Sequence, residues 1–128
     1  MNKILIADVP DLCEVLKNAM LEHLEQRTGK SVFEILTVSE PSKVIKMIES
    51  ETPKWLFLAL EFASAPSYGL ELLAFIRAIS PGTKVIAMTT DDQISTVEKA
   101  IQLGADECLV KPFAIGQLKQ ILGQIVFV

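Results

Sequence analysis

Apolar residues gather in this chain into short uninterrupted runs, and a segment of helical periodicity follows each run. That alternation constrains the fold more than any other feature. Ile4-Leu5-Ile6-Ala7 is the first run, Trp55 to Leu60 is the most apolar, and Val85-Ile86-Ala87-Met88 and Cys108-Leu109-Val110 come later. A strand without polar alternation is one covered on both faces, the condition of a parallel sheet between helical layers. Phe33 to Val38 supplies the remaining strand, and the Trp55 run is expected at the sheet centre.

The intervening segments repeat apolar residues at helical spacing. Behind Pro10 these are Leu12, Val15, Leu16, Ala19 and His23, closed by Thr28-Gly29-Lys30. Ser39 and Pro41 announce a helix whose apolar face is Val44, Ile45, Met47 and Ile48. A loop with Ala65-Pro66-Ser67 precedes a helix turning Leu72, Leu73, Ile76 and Ile79 inward, and Ser80-Pro81-Gly82 is turn chemistry. Asp91 or Asp92 is expected to cap a helix carrying Ile94, Val97, Ala100 and Ile101; the last helix carries Ile115, Leu118, Ile121, Leu122 and Ile125. Strands and helices in strict alternation predict an α/β fold, a doubly wound five-stranded parallel sheet with five helices. The 128 residues read as a single domain, 1–128, large enough for its own core. The tail Ile125 to Val128 is apolar and wants cover, from the last helix, an interface or further chain.

Composition removes several function classes. A net charge of -4 without a basic stripe argues against direct nucleic-acid binding. The apolar runs are far shorter than the roughly 20 residues of a membrane span, and the stretch before Asp8 is too short for a signal peptide. A cytoplasmic protein without membrane contact is the expectation. Cys13 and Cys108 lack metal-ligand spacing and read as packing residues, with no disulfide. His23 continues an apolar face and reads as a partly buried helix residue, and no metal ligand set is expected.

In such a sheet, ligands bind where the carboxyl ends of the strands converge. The residues there are Asp8, the segment Ala59 to Glu61, Thr89-Thr90 and Lys111, whose following Pro112 fixes the exit turn. An ammonium, a hydroxyl and acids facing one crevice suit a phosphoryl group, with the acids able to hold a cation.

At these residues the chain resembles the receiver domain of bacterial response regulators, over essentially its whole length. The resemblance rests on Lys3-Ile4-Leu5-Ile6-Ala7-Asp8, Gly69-Leu70-Glu71-Leu72-Leu73, Val85 to Thr90, and Gly104-Ala105-Asp106-Glu107 running to Lys111-Pro112-Phe113. It implies the flavodoxin-like strand order 2-1-3-4-5, a pocket of Asp8, Glu61, Thr89 and Lys111, and a cis bond at Lys111-Pro112. The departures are as specific as the matches. Receivers hold magnesium with two adjacent acids after the first strand, and here Val9 follows Asp8. Their acceptor aspartate ends the third strand. Counting back from Gly69 places Glu61 there, and counting forward from Pro53 places Ala59. Glu61 is the favoured reading, because an acid there would face Lys111. Cys108 stands where family members carry an aromatic switch residue.

The resemblance implies a two-component signalling module. The departures point to one that works through protein contacts without aspartyl phosphorylation, that is not an enzyme, and that needs neither cofactor nor metal. The alternative is a receiver phosphorylated by a histidine kinase at an unorthodox acceptor. A flavodoxin-type cofactor binder is disfavoured, since Ala7-Asp8-Val9-Pro10-Asp11 is no hydroxyl- and glycine-rich phosphate turn. The partners implied are a histidine kinase or an output protein. A homodimer would use the family's signalling face, here Asp92–Leu103, Asp106–Val110 and Ala114–Val128.

Overall fold

The computed structural model describes residues 2–28, 33–61 and 67–124. Strand and helix alternate as β1 (Asn2–Ala7), α1 (Pro10–Thr28), β2 (Phe33–Val38), α2 (Pro41–Glu51), β3 (Trp55–Ala59), α3 (Ser67–Ile79), β4 (Lys84–Thr89), α4 (Ile94–Gln102), β5 (Glu107–Val110) and α5 (Ile115–Leu122). The strands form one parallel sheet in the order β2-β1-β3-β4-β5. The flavodoxin-like fold expected from the sequence is the fold observed.

Through the middle of the sheet the strands send alternate side chains into two apolar layers, which is why Ile4 to Ala7, Leu56 to Ala59 and Val85 to Met88 carry no polar face, whereas the edge strand β2 exposes Glu34 and Thr37. Ile4, Ile6, Phe57, Ile86, Met88 and Leu109 pack under α1 and α5. Leu5, Ala7, Leu56, Leu58, Val85 and Ala87 pack under α2, α3 and α4. Burial is worth roughly 1.5–3 kcal/mol per large aliphatic side chain, so these layers carry the fold.

Several helical faces differ from the expected ones. α1 buries Cys13, Leu16, Met20 and Leu24, while Leu12 and Val15 are exposed. The sheet thus selects a stripe rotated by about one residue from the expected one. Ile79 and Ile115 also turn outward, and in α4 only Ala100 is buried, with Ile94 at 74% exposure. Neither Asp91 nor Asp92 is the N-cap of α4; Gln93 is. Asp91 instead accepts hydrogen bonds from the Gln93 N–H (2.9 Å) and the Thr96 hydroxyl (2.6 Å). Gly29-Lys30, the Ala65-Pro66 turn and the tail Ile125 to Val128 lie outside the described residues. No described helix is long and apolar enough to cross a membrane.

A polar cluster fastens the amino ends of β4 and β5. The Arg77 guanidinium, on α3, donates to the carbonyls of Gly104, Pro81 and Thr83 and to the Asp106 carboxylate. Asp106 in turn receives the Val85 N–H at 2.8 Å, which ties the start of β5 to β4. Gly104 makes this corner at φ +120, with its Cα facing the Arg77 side chain so closely that a Cβ would lie 2.7 Å from it.

Candidate functional site

The sheet delivers its four strand-end side chains to one edge but divides them into two couples. Asp8 leaves β1 in phase with Ile4 and Ile6, toward the α1–α5 side. Lys111 follows Leu109 in the same phase. Their side chains meet: the Lys111 ammonium donates to Asp8 Oδ2 at 2.7 Å, with the two side chains 16% and 2% exposed. Asp8 Oδ1 accepts the Val9 N–H, also at 2.7 Å. The Lys111 backbone N–H donates to the Thr89 carbonyl at 2.7 Å, and the Lys111-Pro112 bond is cis.

The second couple forms toward the other helical layer. Thr89 continues the phase of Val85 and Ala87 and is fully buried. Its hydroxyl donates to Glu61 Oε2 at 2.7 Å and accepts the Asp91 N–H at 3.0 Å. Glu61 Oε1 takes both the Thr90 N–H and the Thr90 hydroxyl. Glu61 therefore forms no ion pair with Lys111, contrary to the expectation from the sequence. The chain leaving β3 runs on along β4, with the Leu60 N–H bonded to the Met88 carbonyl at 2.8 Å. That path brings Glu61 to Thr89 and Thr90, while Lys111 reaches across to β1.

The β1–β3 register pairs Ala7 with Leu58. Ala59 is thus the β3 residue beside Asp8, and it lies in the same apolar layer as Ile4, Ile6 and Phe57. Glu61 lies two residues further, in the turn. A close helix contact fixes that turn. A Cβ on Gly69, near the start of α3, would stand 2.0 Å from the Leu60 carbonyl oxygen, so only glycine lets α3 seat there.

Beside the Asp8–Lys111 pair opens a groove of about 490 Å³ between α1 and α5, lined by Leu12, Val15, Ala19, Phe113 and Ile115, with Thr90 on its polar side. Periodicity alone assigned Leu12 and Val15 to the core, so this groove was not foreseen. Cys108, on β5, is half-buried and a free thiol. Burial, and secondarily the Glu61 charge, push its pKa above the ordinary 9.0. Cys13 is buried, its thiol 3.3 Å from the Asp8 carbonyl. His23 is partly buried and its Nε2 has no hydrogen-bond partner. Among the described residues, no three His, Cys, Asp or Glu side chains come together as a metal site.

Residues 5–123 match the response regulator receiver domain family. The chain belongs to that family. This receiver is 33% identical over 121 residues to the "Probable C4-dicarboxylate response regulator DctR" of Priestia megaterium, covering 94% of its own length and 50% of that protein. The receiver thus spans about half the length of that curated relative. Among solved structures it resembles the signal receiver domain of a DNA-binding response regulator from Colwellia psychrerythraea, at TM-score 0.81 and 21% identity over 97% of both chains. A response regulator from Thermotoga maritima superimposes at TM-score 0.78 with 18% identity, covering 97% of this receiver and 96% of that chain. At such identities the likeness is one of fold.

Proposed function

We propose that this receiver is a protein-interaction module of a two-component pathway whose signalling does not depend on aspartyl phosphorylation. The observation that carries the reading is the residue beside Asp8 on β3, Ala59, which has no group to accept a phosphoryl. Glu61 does not replace it. Both of its oxygens are engaged by Thr89 and Thr90, on the opposite couple of the site.

The donor set argues the same way against the divalent cation that receivers use. Magnesium is held by one or two carboxylates, with waters completing its octahedron; here the end of β1 supplies Asp8 alone, one oxygen of which also takes the Lys111 ammonium and the other the Val9 N–H. The Val9 side chain offers no ligand. One carboxylate is a poorer donor set than the two adjacent acids of the family, and no step through the metal follows.

In this reading the receiver is a cytoplasmic, non-enzymatic domain, and its partner is a histidine kinase, an output protein or a second copy. The face built by α4, β5 and α5 supports that part of the proposal, because Ile94 and Ile101 stand exposed on α4 among polar residues such as Gln102 and Lys99. Intact mass after incubation with a small-molecule phosphodonor and magnesium tests the central statement. The expected result is an unchanged mass. A gain of one phosphoryl group that disappears on replacing Glu61 or Asp8 would refute it.

A further inference from the structure

Glu61 begins a continuous chain of hydrogen bonds that ends inside α4. Thr89 Oγ1 donates to Glu61 at 2.7 Å and receives the Asp91 N–H at 3.0 Å. The Asp91 carboxylate then holds the Gln93 N–H at 2.9 Å and the Thr96 hydroxyl at 2.6 Å, spanning the N-cap and first turn of α4. Thr90 adds two further donors to Glu61.

The helix at the end of this chain has little else to fix it. Ala100 is its one buried residue, and an alanine brings only a methyl group to the core. The Gln93 side chain makes no capping bond at its amino end, which leaves that end to the Asp91 carboxylate. A carboxylate accepting several donors makes stronger bonds than neutral pairs do, and these bonds sit where burial is weakest.

We propose that Glu61 is a positioning residue for α4, an intramolecular tether that sets the β4–α4 corner and so the orientation in which Ile94 and Ile101 are presented. The inference does not depend on whether the domain accepts a phosphoryl group, and its test uses no phosphodonor. Site-resolved amide hydrogen exchange on the whole chain reads the tether directly. In Glu61→Ala, residues 90–102 should exchange about tenfold faster or more while β1 and β3 keep their protection, as expected for a local opening. Thr89→Val, which cuts the chain one link further on, should reproduce the same local pattern. Adding Asp91→Ala to Glu61→Ala should bring little extra, since links of one chain do not add. Glu61→Gln, which keeps an acceptor for the Thr90 N–H, should retain most of the protection.

Unchanged exchange in α4 for both Glu61→Ala and Thr89→Val would overturn the proposal. So would acceleration shared equally by the sheet, because that is ordinary loss of stability. Should Glu61→Ala fail to fold, Thr89→Val and Asp91→Ala decide the matter by the same two criteria.

Discussion

Replacing Lys111 by methionine keeps most of the side-chain volume and removes the counter-charge of Asp8. The carboxylate left behind is 2% exposed and keeps only the Val9 N–H as a partner. Breaking a buried pair by deleting one member typically costs about 3–5 kcal/mol. Protonation sets a ceiling on that cost. A free aspartate titrates near pH 3.9, and at 1.36 kcal/mol per unit its protonation at pH 7 costs about 4 kcal/mol. At pH 4 the same step is nearly free. Lys111→Met should therefore destabilise by about 3–4 kcal/mol at pH 7 and by about 1 kcal/mol at pH 4, the remainder being the lost hydrogen bond. Urea unfolding at the two pH values, with the m-value checked for constancy, measures both. Adding Asp8→Asn should recover most of the loss at pH 7 and little at pH 4. Equal destabilisation at both pH values would refute the reasoning, since it would mean that no charge was left stranded. Glu61 plays no part in this cycle, and Glu61→Gln should leave the pH dependence intact.

Two further outcomes follow from the same edge of the sheet. Gly69→Ala should lower stability by about 1–3 kcal/mol, the range for overpacking, because its Cβ would meet the Leu60 carbonyl oxygen at 2.0 Å; a calorimetric melt checks it, and an unchanged midpoint would mean that α3 seats differently. Glu61→Gln should move the pH midpoint of Cys108 alkylation downward without restoring ordinary thiol behaviour, because burial is the larger cause of its raised pKa and the Glu61 charge the smaller; the rate of iodoacetamide labelling against pH measures it, with buried Cys13 as the slow internal reference.

The fold was legible because its strands advertise double coverage. Ile4 to Ala7, Leu56 to Leu60 and Val85 to Met88 carry no polar residue, and all of these are buried. The strand order came from the resemblance, since nothing in a single apolar run says which neighbour it will take. Asp8 and Lys111 were legible as strand ends, and their meeting follows from a shared side-chain phase. Glu61 was paired with Lys111 on electrostatic grounds, an acid opposite an ammonium, and charge alone does not say which way the turn leaves β3. The bonding of Leu60 to β4 decides the direction instead. The α1 face failed for a different reason. Apolar residues at 12, 13, 15, 16, 19, 20, 21 and 24 surround much of that helix, so several stripes satisfy the same period. Only docking on the sheet selects Cys13, Leu16, Met20 and Leu24.

The Arg77 corner bears on what this domain can tolerate. One guanidinium joins three backbone carbonyls and a carboxylate at the end of the sheet remote from Asp8 and Lys111. Thr83 adds a bond to the Pro53 carbonyl at 2.9 Å, and Lys54 reaches Asn2 at 3.0 Å on the same side. The sheet is therefore clasped like a fan at its handle. At its open rim, Val9, Ala59 and Glu61 can change chemistry with the ribs still held in register, because none of the three takes part in that clasp.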